Sequence, residues 1–88
     1  MTADDFRAAL RQLFRAAEKA GRDTVVVRSG DLHRGVGGYP GSNHRMPVCC
    51  EVMYGEMIDG VDEILRAPPR GKGASLEIEY LLPRPEGG

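Results

Sequence analysis

The stretch LEIEYLL, residues 76–82, is the strongest constraint on how this chain can fold. Leu76, Ile78, Tyr80 and Leu82 alternate with Glu77 and Glu79. Successive side chains of a strand point to opposite faces, so the four apolar groups line one face and the two carboxylates stand on the other. A strand of this kind needs a sheet around it and a core beneath it. With 88 residues, the chain has room for one core only.

The rest of the chain can be fitted around that strand. Residues 2–20 read as an amphipathic helix: Thr2 and Asp5 form a capping-box-like start, and Phe6, Leu10, Leu13, Ala17 and Ala20 recur on one face before Gly21 stops it. Three valines predict a short buried strand over 24–27. Ser29 is then the expected N-cap of a short helix, GDLHRGV, in which Leu32 and Val36 share a face. GGYPGS is a turn, with glycines that permit positive φ and a Pro-Gly pair. A third helix is expected from Ser42 or Asn43 to about Met57, with Pro47 in its first turn and Met46, Cys50, Met53 and Met57 on one face. Val61–Arg66 and Leu76–Leu82 should pair as a hairpin around the loop APPRGKGAS. The expected core is Phe6, Leu10, Leu13, Val25, Val27, Leu32, Val36, Cys50, Met53, Ile64, Leu76, Ile78 and Tyr80. That makes one α+β domain over 1–83, with 84–88 as a disordered tail.

Composition narrows the function classes. The chain is 41% hydrophobic and 28% charged, a globular mix. It has no apolar run near the ~20 residues of a membrane helix, and its acidic amphipathic start is unlike a secretory signal, so a cytoplasmic location is expected. Two adjacent cysteines do not make a disulfide framework. The net charge of −1 speaks against strong non-specific DNA binding, but the charge is unevenly spread. Ile64–Ser75 holds Arg66, Arg70 and Lys72 and no acid, and between Gly35 and Cys50 the only full charge is Arg45.

The histidines and cysteines are the residues that invite a chemical reading. His33, His44, Cys49 and Cys50 are spaced H-x10-H-x4-C-C, which matches no zinc finger or ribbon. Neighbouring helical residues point about 100° apart, so the two thiols do not converge on one ion. A redox pair would be C-x-x-C, and neither histidine stands one helical turn from Cys49 as a base would. Asp62 and Glu63 are adjacent and point to opposite faces of a strand. GVGGYPG follows a helix and lacks the lysine and hydroxyl of a phosphate loop. These patterns predict no enzyme, no metal and no cofactor, and they place both cysteines in the core.

The order helix, strand, helix, helix, strand, loop, strand resembles the winged helix-turn-helix superfamily. SGDLHRGVGGYPGSNHRMPVCCEVM would carry the helix-turn-helix, and EILRAPPRGKGASLEIEYLL the two strands and the wing. The turn is longer and richer in glycine than that of bacterial repressors. The resemblance implies a DNA-binding protein or subunit acting in transcription regulation, with the helix over 43–57 in the major groove and the wing, 67–75, on the phosphate backbone. Its contacts would be Ser42, Asn43, His44 and Arg45 at the helix start, Glu51 and Tyr54 further along, Arg70 and Lys72 in the wing, and Arg34 on the preceding helix. Two other classes compete: a protein-interaction module of the same fold, and a small metal or redox protein using Cys49 and Cys50. A core this small implies a marginal monomer, and so a homodimer, through the first helix or the Tyr80 strand, or a larger protein partner.

Overall fold

The computed structural model describes residues 2–37 and 45–85. Three helices and three strands follow in the order α1 (Ala3–Lys19), β1 (Thr24–Arg28), α2 (Ser29–Val36), α3 (Met46–Gly55), β2 (Glu63–Arg66) and β3 (Glu77–Leu81). The sheet is antiparallel in the order β1-β3-β2.

Both ends of α1 are set locally. The Thr2 hydroxyl accepts the Asp5 N–H at 3.3 Å, and the Asp5 carboxylate accepts the Thr2 N–H at 2.7 Å. At the far end Gly21 adopts φ +80°, its N–H reaches the Glu18 carbonyl at 2.9 Å, and the Arg22 N–H reaches Ala17 at 3.0 Å. These two bonds satisfy carbonyls that the helix leaves without partners.

The buried stripe of α1 is Phe6, Leu10, Phe14 and Ala17, whereas Leu13 is 41% exposed. Leu13 and Phe14 are consecutive, so only one can face the sheet. The larger ring takes that place, against Tyr80 at 4.8 Å between centroids.

Strand β3 runs through the middle of the sheet, with Val27 opposite Ile78 on one side and Ile64 opposite Ile78 on the other. Leu76, Ile78, Tyr80 and Leu82 are all buried, as their alternation predicts. Because β3 is paired on both sides, it offers no free edge to which a second copy could add a strand. Strand β2 departs from expectation as well. Its register with β3 shifts between Ile64 and Arg66, and no helix packs broadly on it. All four of its residues are exposed, Ile64 at 44%, so Ile64 is not a core residue. Val25 and Val36 are half-buried at the margin of the core, which also takes in Phe14, Met46, Cys49, Val52 and Leu82.

Ser29 does not cap α2. It lies inside the helix, whose N-cap is Arg28, and its hydroxyl donates to the Gly73 carbonyl. The first-turn N–H groups of Ser29 and Gly30 extend the β1–β3 ladder instead, to Leu76 at 2.9 Å and Ala74 at 3.1 Å. Donors that a capping side chain would satisfy are taken by neighbouring backbone. Gly30 is needed for this close approach, since a Cβ there would stand 3.0 Å from the Ala74 carbonyl oxygen.

Arg84, expected in a disordered tail, is held in place. Arg84 is nearly buried, with its side chain 12% exposed, and it meets the fully buried Asp62 at 2.7 Å. It also donates to the Glu56 carbonyl at 2.7 Å and lies over the Phe14 and Tyr80 rings, at 4.9 and 5.2 Å. Asp62 in turn accepts the N–H groups of Ile58 at 2.8 Å and Leu81 at 2.9 Å. The pair therefore ties the exit of α3, the approach to β2 and the end of β3 together. Burial pushes the Asp62 carboxyl upward, but the Arg84 hydrogen bond and the two backbone donors outweigh it and hold the group below the ordinary aspartate range. Residues 86–88 lie outside the described residues.

Candidate nucleic-acid interface

The face that would meet a nucleic acid is built from α3 and the loop 67–75. Helix α3 begins at Met46, not at Ser42 or Asn43. Arg45, at φ −121° and ψ 52°, is its N-cap, and Pro47 sits in the first turn. Ser42, Asn43 and His44 lie outside the described residues. The Arg45 side chain is exposed, and its N–H donates to His33 Nε2 at 2.8 Å. His33 is completely buried, with its ring 4.9 Å from that of Phe6. An imidazole that accepts at Nε2 carries no proton there, so this bond requires a neutral ring. His33, weighed in the sequence as a metal ligand and as a base, thus anchors the start of α3.

Met46, Cys50 and Met53 face the core, as their spacing predicts, and Met57 packs at its edge. The opposite side exposes Pro47, Glu51 and Gly55, whose only charge is the Glu51 carboxylate. The loop 67–75 lies along the flank between this side and the core-facing one. Lys72 Nζ meets Glu51 at 2.7 Å, the Tyr54 hydroxyl donates to the Gly71 carbonyl, and the Gly73 N–H reaches Cys50 Sγ at 3.3 Å. Gly71 needs its glycine for φ +83°, and its N–H closes a turn onto Pro68 at 2.8 Å. The loop is therefore bound to α3 through main-chain groups, which no residue-type pattern in the sequence announces.

The cations expected to converge are only partly brought together. Arg45 marks one end of α3, Lys72 its middle, and Arg70 precedes the glycine that meets Tyr54 in the last turn. The span is about 15 Å for ten residues of helix. Arg34 stands apart on α2, in an ion pair with Asp31 at 2.9 Å.

The cysteines are poorly placed for thiolate chemistry. Both are fully buried. Burial, with Cys50 alongside, pushes the Cys49 thiol up to about 12. A thiol so disfavoured as thiolate is a weak nucleophile and a weak metal ligand. Among the described residues, no three His, Cys, Asp or Glu side chains are grouped so as to hold an ion. No described helix is long and apolar enough to cross a membrane.

No protein-family model matches the chain, and no curated protein or solved structure resembles it closely enough to lend it a function.

Proposed function

We propose that the chain is a small DNA-binding module of winged-helix type, with α3 offered to the major groove and the loop 67–75 to the phosphate backbone. The observation that carries this reading is the seating of that loop along the flank of α3, on the helix whose exposed start is Arg45. The element order and the sheet order β1-β3-β2 agree with such a domain. Glu51 would be repelled by phosphates, and the bound Lys72 offsets it. Arg45, Arg70 and Lys72 are then the cations for the backbone, so binding should be modest and its dependence on log salt should have a slope of roughly −3.

The test is fluorescence anisotropy with a duplex of about 20 base pairs across a salt series. Arg45→Ala, Arg70→Ala or Lys72→Ala should each flatten the slope by about one. Glu51→Gln frees Lys72 and should tighten binding at low salt. No binding at about 20 mM salt, where this electrostatic contribution is large, sinks the reading.

A second reading, a protein-interaction module, is favoured by one feature. An apolar groove of about 430 Å3 runs between α1, β1 and α2, where Leu13 and Val26 are 41% and 49% exposed. Val26→Asp would release a co-purifying protein on this reading, and it would leave DNA affinity unchanged on the first.

A further inference from the structure

A cleft of about 720 Å3 opens between α1 and the segment that follows α3, on a part of the surface that the proposed DNA contacts do not use. Arginines from three successive turns of α1 line it. Arg7 and Arg11 converge on a single oxygen, Glu56 Oε1. Arg7 Nε stands 3.7 Å away, and Arg11 reaches it with Nε at 3.2 Å and its terminal nitrogen at 3.0 Å. Arg15, about 6 Å further along the helix axis, is exposed and makes no ion pair among the described residues. Met57 and Ile58 form an apolar floor, Phe14 lies beneath the Arg84 guanidinium, and Glu18 and Arg84 also line the cleft.

We propose that this cleft binds a small organic anion, a carboxylate or phosphate carried on an apolar ring or chain. A guanidinium presents five donors in a planar fork; Arg7 divides its fork between Asp4 and Glu56, Arg11 spends part of its own on Glu56, and Arg15 has no ion pair among the described residues, so donors are left unused. Glu56 already shows where an anionic oxygen sits between Arg7 and Arg11. A second anionic group would bridge Arg11 and Arg15 across one helical turn, and its apolar body would cover Met57 and Ile58. The volume is that of a small-ligand site, and an apolar floor with a few convergent polar groups is the usual build of one.

The probe is 1-naphthyl phosphate, titrated into the full chain and followed by amide NMR. Saturable shifts should appear at residues of α1 and 55–58. Arg15→Ala, a change at an exposed position, should weaken binding about tenfold, as loss of one charged hydrogen bond does, and Arg11→Ala should do the same. Glu56→Gln removes the competing carboxylate and should tighten binding several-fold. 1-Naphthol and inorganic phosphate, each lacking one half of the ligand, should bind at least about tenfold more weakly. The proposal fails if no saturable shift appears by about 5 mM, a concentration that would reveal even a millimolar site. It fails equally if Arg15→Ala changes nothing, if inorganic phosphate binds as tightly as the ester, or if the shifts fall on 67–75.

Discussion

Arg84→Met should cost the domain a large part of its stability. The substitution keeps an apolar stem over Phe14 and Tyr80 but leaves the Asp62 carboxylate buried without its counterion. Removing one partner of a buried pair costs about 3–5 kcal/mol. A domain of 88 residues has about 4–13 kcal/mol in all, so the loss is about a quarter of the total or more. Asp62→Asn should cost less, about 2 kcal/mol, because the amide oxygen can still accept one of the two backbone N–H groups and Arg84 keeps the Glu56 carbonyl. The double variant is the decisive one. With no buried charge left to strand, it should be more stable than the sum of the single losses predicts, by about 1.5–3 kcal/mol. Urea unfolding at pH 7, followed by far-ultraviolet circular dichroism, gives all four corners of the cycle. The sign of the pH effect follows from the same contact. The Asp62 carboxyl is held low in the fold, so its contribution is fully present above the ordinary aspartate value near 4. It is lost as the pH falls through the folded value. The wild type should therefore lose more stability than Asp62→Asn between about pH 5 and pH 2. An Arg84→Met loss below about 1 kcal/mol, or strict additivity in the cycle, would refute the reasoning.

Three other outcomes can be checked in the same unfolding assay or beside it. Tyr80→Phe removes the hydroxyl that donates at 2.8 Å to the Met53 carbonyl in the last turn of α3, and it should cost about 1–3 kcal/mol with an unchanged denaturant slope. Two glycines of α2 should respond with opposite signs. Gly35→Ala meets nothing within 4 Å and should gain about 0.5–1 kcal/mol of helix propensity, whereas Gly30→Ala drives a Cβ to 3.0 Å from the Ala74 carbonyl oxygen and should lose about 1–2 kcal/mol net; equal effects would mean that the Gly30 contact is soft. Both thiols should react slowly with a disulfide reagent at pH 8 while the chain is folded, and quickly in urea, because both are buried and the Cys49 thiol is raised to about 12. Rapid reaction of either in the folded chain would contradict their placement in the core.

Local chemistry was the legible part of this sequence. The Thr2–Asp5 box, the Gly21 stop and the alternation of LEIEYLL depend on residues a few positions apart, and each appears where its pattern puts it. What went unread depends on partners distant in the chain. Ser29 looks like a cap in isolation, but the backbone at 73–76 takes over that task. Leu13 and Phe14 fit the helical period almost equally, and only the Tyr80 ring decides between them. Ile64 alternates as a core residue should, yet no helix reaches far enough to cover its strand. Arg84, between two prolines in a stretch ending in glycine, has the composition of a frayed end. Its place in the core follows from Asp62, 22 positions earlier. The candidate interface divides in the same way. Arg45, Arg70 and Lys72 could be named from charge alone, whereas the pairing of Lys72 with Glu51 required the loop's path across α3.

The buried imidazole of His33 closes a circuit. Its own carbonyl accepts the Gly37 N–H at 2.8 Å, and its Nε2 accepts the Arg45 N–H at 2.8 Å. One residue therefore holds the chain on both sides of the segment 38–44, like a clasp at the neck of a bag. Closing a longer loop costs only about 0.6 kcal/mol per doubling of length, so the chain length between the two held ends weighs little beside the bonds that hold them. The end of α2 and the start of α3 are thus referred to one buried ring, so a change at His33 would be felt at both.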